Sequence, residues 1–363
     1  MKICLLIPSL VAGGAERVMT RMANHWAENS YEIHIITLDY PGSSPFYDLS
    51  PKIKLIQLGV PRQQKFFFKP FFMVRQIVSV LQTVNKIQPD ALIAFLDITI
   101  FISLVIKPFI SAKVIVSERN NPYLNETNPV IKHINHFLYR IADQLILQTE
   151  RISASFPPRL QSKITVIPNP VPKPEVEKFA YSEKKAEYTI ISVGRLKKQK
   201  GYDFLIKVFA SLGTQAKMWS LVIVGEGEER GKLEQLCKDE QVEERVKFLG
   251  KQYKPEKILK EADVYILSSR FEGFPNSLCE AMSIGLPCIA TRCLYGPEEI
   301  IEHGVNGLLI DVNSQKELRS AMNKLIDSAQ LRQQLGEEAK KISGRLSLPN
   351  IMRQWEHVIR KVL

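Results

Sequence analysis

Twice along this chain, short and almost wholly apolar runs alternate with longer amphipathic stretches, and the two series meet at Pro168-Asn-Pro-Val-Pro-Lys-Pro174. Runs that are apolar throughout suit strands covered on both faces, which is the situation of a parallel sheet whose crossovers are helices. The first series predicts strands near Lys2–Pro8, Glu32–Leu38, Lys54–Leu58, Ala91–Leu96, Lys113–Val116, Gln144–Gln148 and Lys163–Ile167, with helices near Ala15–Glu28, Phe72–Ile87 and Ile98–Ile106. The second predicts strands near Tyr188–Val193, Ser220–Val224, Val246–Leu249, Val264–Leu267, Pro287–Ala290 and Gly307–Leu309. Four prolines in the seven-residue break make a stiff boundary. A chain of 363 residues, 45% hydrophobic, can bury two cores. The expectation is an α/β chain of two parallel-sheet domains, 1–171 and 172–345, closed by a helix within 346–363.

The most apolar stretch, Ala91 to Ile110, is interrupted by Asp97 and Lys107 and ended by Pro108, so a strand and a helix explain it better than a membrane span. Met1-Lys2 leads at once into the first strand, which argues against a leader peptide. Cys4, Cys237, Cys279, Cys288 and Cys293 are odd in number and lack Cys-x-x-Cys spacing, so reduced thiols are expected, with neither disulfides nor a metal site.

Chemistry concentrates in the second half. Glu272-Gly-Phe-Pro-Asn-Ser-Leu-Cys-Glu280 sets two carboxylates around a Gly-Phe-Pro turn, with a helix over Ser277–Ser283 that stops before Gly285. The unpaired amides of that helix's first turn face a loop suited to a hydroxyl-rich or anionic ligand. Val193-Gly-Arg-Leu-Lys-Lys-Gln-Lys-Gly201 joins a strand to a helix through a basic turn. There Arg195 can fork two hydrogen bonds to a phosphate and Lys200 supplies a compact charge. Val224-Gly-Glu-Gly-Glu228 and Gly13-Gly14 are further places where backbone can approach a ligand closely.

The pattern Ser-x-x-Glu-Gly-Phe-Pro-x-x-x-x-Glu-Ala-Met-x-x-Gly-x-Pro over these positions resembles the signature of family-four retaining glycosyltransferases. The resemblance covers nearly the whole chain. It implies the GT-B fold: two Rossmann-like domains facing across a cleft, with the last helix, about Leu348–Val362, crossing back to the first. It also implies metal-independent transfer of a sugar from a nucleotide donor, UDP-linked, with retention of configuration, the nucleotide sugar being a co-substrate and no further cofactor required. On this resemblance Glu272 lies by the donor sugar, Glu280 holds the ribose, and Phe274, Pro275, Asn276, Ser277 and Leu278 meet sugar and phosphates. Arg195 and Lys200 take the diphosphate, Gly13 and Gly14 face it, and the backbone around Lys251 and Gln252 pairs with the base. The variant Gly-Gly-Ala-Glu-Arg17 resembles a subgroup that adds hexoses or N-acetylhexosamines to lipid-linked oligosaccharides in bacteria. Family members often carry a histidine where this chain has Arg119, so Glu118, Arg119 and Arg17 become acceptor-side candidates and no catalytic histidine is proposed. The absence of any Asp-x-Asp triplet agrees with charge being met by side chains and a helix end.

Charge points to a partner. Residues 1–172 carry 18 basic and 11 acidic side chains against 31 and 27 in the remainder, so the excess leans to the first half. Residues 49–89 hold no Asp or Glu but seven cations, and Lys65, Phe66, Phe67, Phe68, Lys69, Phe71 and Phe72 interleave charge with aromatic rings. That composition suits an anionic membrane surface. No helix-turn-helix, RNP-like or zinc pattern supports nucleic acid. The expectation is a peripheral enzyme on the cytoplasmic membrane face using a lipid-linked saccharide acceptor. A transferase on a soluble acceptor, an inactive scaffold of the same fold and a UDP-hexosamine epimerase remain open.

Overall fold

The computed structural model describes residues 1–60, 69–119, 129–171, 173–174 and 185–363, and the side chains of 69–71, 129–133 and 215 are outside the description. The chain divides into two compact units, Met1–Asn169 with Pro349–Leu363, and Pro170–Leu348.

In the first unit β1 (Lys2–Ile7), β2 (Glu32–Thr37), β3 (Lys54–Gln57), β4 (Ala91–Phe95), β5 (Lys113–Ser117), β6 (Gln144–Leu147) and β7 (Ile164–Val166) form one parallel sheet in the order β3-β2-β1-β4-β5-β6-β7. Its central strands are buried nearly end to end, as their unbroken Ile, Leu and Val content requires. Helices α1 (Gly14–Glu28), α2 (Lys69–Ile87), α3 (Asp97–Ile106) and α4 (Pro129–Leu138) make crossovers. The helix Leu348–Val362 belongs to this unit. Its fully buried Trp355 meets Trp26 edge-on at 6.4 Å and lies 6.3 Å from Phe95. The return of the last helix to the first sheet is thus as expected.

In the second unit β8 (Tyr188–Val193), β9 (Trp219–Val224), β10 (Val246–Phe248), β11 (Val264–Leu267), β12 (Cys288–Thr291) and β13 (Leu308–Ile310) form a parallel sheet ordered β10-β9-β8-β11-β12-β13. Both sheets are doubly wound. Each has one place where successive crossovers leave in opposite directions, between β1 and β4 in the first and between β8 and β11 in the second. Loops at the carboxyl ends of the strands beside such a point leave a crevice for a ligand. Among the described residues no helix is long and apolar enough to cross a membrane, and Ala91–Ile110 divides into β4 and α3, with Lys107–Phe109 as a closing turn.

Candidate active site

The basic turn after β8 and the acidic loop after β11 stand side by side at the second unit's switch point. Gly201 ends the turn in the left-handed region at φ 65°, and a Cβ there would lie 2.2 Å from the carbonyl oxygen of Ser268. Only glycine lets the turn approach β11 this closely. Ser268 Oγ donates to the Lys200 carbonyl at 2.8 Å, Arg270 N donates to Gln199 O at 2.7 Å, and Gln199 Nε2 donates to Phe271 O at 2.8 Å. Arg270 also forks onto Asp203 at 2.9 and 2.8 Å, which ties the acidic loop to the helix Tyr202–Ser211.

These bonds bring together side chains 72 positions apart: Lys200 Nζ lies 2.6 Å from Glu272 Oε1. Lys200 is 17% exposed at its side chain and Glu272 only 6%, so the pair sits at the base of the loops with one end open. Ser269 Oγ donates to the same carboxylate oxygen at 2.5 Å, and the Ser269 carbonyl accepts from Thr291 Oγ1 at 2.5 Å. Glu272 is therefore held by an ammonium and a hydroxyl. Tyr202 and Tyr265 are buried nearby, and burial raises both phenols, with the charge of Glu272 adding to it.

Behind the loop runs the helix Asn276–Ile284, whose N-cap is Pro275 with no side-chain cap and whose end is Gly285 at φ 93°. Its first turn therefore presents backbone donors unclaimed by a capping side chain. Tyr265 Oη bonds to Ser277 Oγ at 2.8 Å and fixes that turn on β11. Phe274, Pro275, Leu278 and Glu280 are buried, while Asn276 and Ser277 are half-buried. Arg195 differs from Lys200 in being exposed on its turn. A Cβ on Gly225 would lie 1.9 Å from the Gly194 carbonyl, and Gly225 N donates to Gly250 O at 2.9 Å, so the loops after β8, β9 and β10 stack in sequence. Gln252 stands at the far end of that row, exposed, with its side chain donating to Leu249 O at 2.8 Å. The candidates of the second unit thus share the carboxyl edge of one sheet.

In the first unit Gly13 precedes α1 in extended backbone, and a Cβ on it would fall 2.1 Å from Glu16 Oε2. The buried Glu16 carboxylate is folded over the glycine at the positive end of α1. Gly14 opens α1 and is exposed; Arg17, one turn on, is half-buried with its guanidinium 6.0 Å from the ring of Tyr47.

Glu118 and Arg119, the acceptor-side candidates, close the carboxyl end of β5. Both are buried, the Arg119 guanidinium lies 3.9 Å over the Phe95 ring and 5.7 Å from Trp355, and it donates to Asn169 Oδ1. Tyr139 Oη donates to Glu118 Oε2 at 2.9 Å. Burial pulls the guanidinium down to about 9, against the opposing pull of Glu118. The two residues are engaged inside the unit, where they join β5 to the closing helix and to the chain at Asn169. Lys65, Phe66, Phe67 and Phe68 lie outside the described residues, as do the side chains of Lys69 and Phe71; Phe72 is half-buried in α2.

Sequence reading had Ser269 only as the first residue of the Ser-x-x-Glu pattern, with no role, and did not single out Arg270, Thr291 or Tyr265. Ser269 carried a signal, a hydroxyl three positions before the loop glutamate. The other three act through contacts that only the fold creates.

Two family models match consecutive stretches: Glycosyltransferase Family 4 over residues 12–173 and Glycosyl transferases group 1 over residues 174–342. An uncharacterized glycosyltransferase of Haemophilus influenzae is 28% identical over 96% of both chains. A Campylobacter jejuni protein named as an alpha-1,4-N-acetyl-D-galactosaminyltransferase for a GalNAc-bearing diNAcBac-PP-undecaprenol is 25% identical, over 100% of this chain and 99% of its own. Among solved structures, Anabaena HepE in complex with UDP-glucose superposes with a TM-score of 0.81 at 19% identity, covering 99% of this chain and 100% of that one.

Proposed function

The chain belongs to the group 1 glycosyltransferases, and on that premise we propose that it moves a hexose or N-acetylhexosamine from a UDP-sugar to a lipid-linked saccharide, with retention of configuration and without a metal ion. The observation that carries the proposal is the Lys200–Glu272 pair at 2.6 Å, set between an exposed Arg195 and the uncapped start of the helix Asn276–Ile284. Departure of a nucleoside diphosphate places growing negative charge on phosphate oxygens. A guanidinium, an ammonium and first-turn amides are the groups that stabilise such charge without reorganising. Arg195 and Lys200 meet the diphosphate, Phe274 to Leu278 approach sugar and phosphates, Glu280 holds the ribose, and Gln252 marks the base. Glu272 is the carboxylate nearest the sugar. Its present partner Lys200 turns toward phosphate as the donor enters, leaving one face of Glu272 to the sugar hydroxyls while Ser269 keeps the other.

The second unit is accordingly the donor half, and the first, with Arg17, the acceptor half, while Gly13 and Gly14 keep the diphosphate-facing role the resemblance implies. HepE was solved with UDP-glucose, and the Campylobacter relative is named for an acceptor on PP-undecaprenol; both support the choice of donor and acceptor classes. An acceptor of that kind calls for a peripheral enzyme at the cytoplasmic membrane face. The test is a panel of nucleotide sugars incubated with the protein and bacterial lipid extract, read by mass spectrometry. A gain of one hexose or N-acetylhexosamine on an isoprenoid-linked saccharide is the expected result. Donor turnover confined to water-soluble acceptors would replace the acceptor half of the proposal.

A further inference from the structure

Helices α2, α3 and α4 share one face of the first sheet. Their crossovers, β3 to β4, β4 to β5 and β5 to β6, all step across the sheet in the same direction, and right-handed connections then put all three on the same side. The helices pack in that order, α2 on α3 and α3 on α4. In sequence residues 69–89, 98–117 and 129–142 contain no Asp or Glu and seven Lys or Arg, and the one acid in the three helices is Asp97, the half-buried first residue of α3. In structure it leaves large apolar side chains in solvent. Phe109 is 67% exposed, Phe137 63%, Val74 59%, Val78 45%, Ile141 40% and Ile134 37%.

Three contacts show that these residues share one surface. Val74 and Val78 lie one turn apart on the outer side of α2, and Asn85 farther along donates from Nδ2 to the Phe109 carbonyl at 3.4 Å. Lys107, two residues before Phe109, is paired with Asp143, two residues after Ile141. Arg140 lies 3.8 Å over the ring of Phe137, and Lys163 Nζ donates to the carbonyls of Arg140 and Ala142. Two carboxylates lie at this edge: Asp143 is engaged by Lys107 and by the amide of Val114, and the exposed Asp90 accepts from the amide of Lys2. Arg75, Lys86 and Arg140 are exposed beside the apolar groups.

We propose that the outer surface of the α2–α3–α4 layer docks the protein on an anionic lipid bilayer, with Phe109, Phe137 and Ile141 entering the headgroup region and Arg75, Lys86 and Arg140 meeting lipid phosphates. Exposed rings flanked by cations that outnumber the acids match such a surface in both hydrophobicity and charge. A second copy of the chain would bring cation against cation, and aliphatic Val74, Val78 and Ile134 offer nothing for bases to stack on. The surface deepens the lipid-linked-acceptor reading above and rests on it for its purpose, though not for its physics.

Cosedimentation of the full chain with phosphatidylglycerol–phosphatidylcholine vesicles, against phosphatidylcholine alone, tests it. Binding should need the anionic lipid and weaken as salt rises. Phe109→Ser with Phe137→Ser, and separately Arg75→Glu with Lys86→Glu, should each lower partitioning at least ~10-fold while UDP-sugar hydrolysis is unchanged. The charge pair leaves the packing intact, so it decides the matter if the ring variants fold poorly. Equal binding to neutral vesicles, or charge variants that bind like wild type, overturns the proposal. So does a concentration-dependent dimer that dissociates in the ring variants while vesicle binding is absent. Vesicle binding without transfer to lipid-linked saccharide would keep the docking surface and remove the acceptor reading; transfer to lipid-linked saccharide by a wild-type protein that binds no anionic vesicles would do the reverse.

Discussion

Replacing Lys200 with Met separates what the Lys200–Glu272 pair does for stability from what Lys200 does for chemistry. The Glu272 side chain is 6% exposed and would keep only the Ser269 hydroxyl, 2.5 Å away, as its partner. Removing one member of a buried ion pair costs about 3–5 kcal/mol. The 17% exposure of Lys200 puts this case at the lower end, about 3 kcal/mol. For a unit of this size that is a fall of roughly 6–12 °C in midpoint. Loss of the ammonium from the departing diphosphate should lower turnover by about 10²–10³-fold. Adding Glu272→Gln removes the stranded charge, so the double variant should regain most of the stability and none of the turnover. Chemical unfolding followed by tryptophan fluorescence and UDP release from donor give the two readouts. If Lys200→Met alone keeps near-wild-type turnover below its unfolding midpoint, Lys200 is a structural partner of Glu272 and its catalytic role is refuted.

Other expectations concern the frame around the site. Gly201→Ala would force a Cβ to 2.2 Å from the Ser268 carbonyl at φ 65°, so donor turnover should collapse even where circular dichroism shows a folded chain. Trp355→Ala leaves a cavity against Trp26 and Phe95 and should destabilise the first unit by about 3–5 kcal/mol, read as a lower denaturant midpoint. All five thiols are buried, and burial pushes Cys293 up to about 12, so a thiol reagent at pH 8 should find none in native protein and five after denaturation. Because the native state holds the Cys293 proton above the ordinary thiol range, that contribution to stability is present below about pH 9 and is lost as pH rises toward 12, which a pH series of unfolding midpoints would reveal.

The two-sheet plan was legible because each strand is apolar along its length and because Pro168 to Pro174 interrupts the repeat. The resemblance at Glu272–Glu280 pointed to the loop after β11, and Arg195 and Lys200 pointed to the turn after β8. That Lys200 bonds Glu272 could not be read from spacing, since 72 residues and the inward crossing of β11 beside β8 lie between them. The surroundings of Arg119 were not legible from its position. A cation at the carboxyl end of a parallel strand looks like a ligand group, and nothing local says that Trp355, more than two hundred residues later, will help enclose it with Phe95. Tyr265 was hidden for a related reason, since a tyrosine in a buried strand reads as core until its hydroxyl is seen on Ser277. The exposure of the Phe109 and Phe137 rings carried no signal in sequence, because burial of a helix end depends on what packs beyond it.

The most direct test of the central claim is UDP release from a UDP-sugar panel by wild-type protein and by Arg195→Ala, run in parallel with a chelator present. Arg195 is exposed, so its removal should leave the unfolding midpoint unchanged while release, proceeding in wild type despite the chelator, falls about 10²-fold or more. A near-wild-type rate in Arg195→Ala, or release that stops on chelation, would contradict a site in which these cations and the helix Asn276–Ile284 meet the charge of the departing diphosphate.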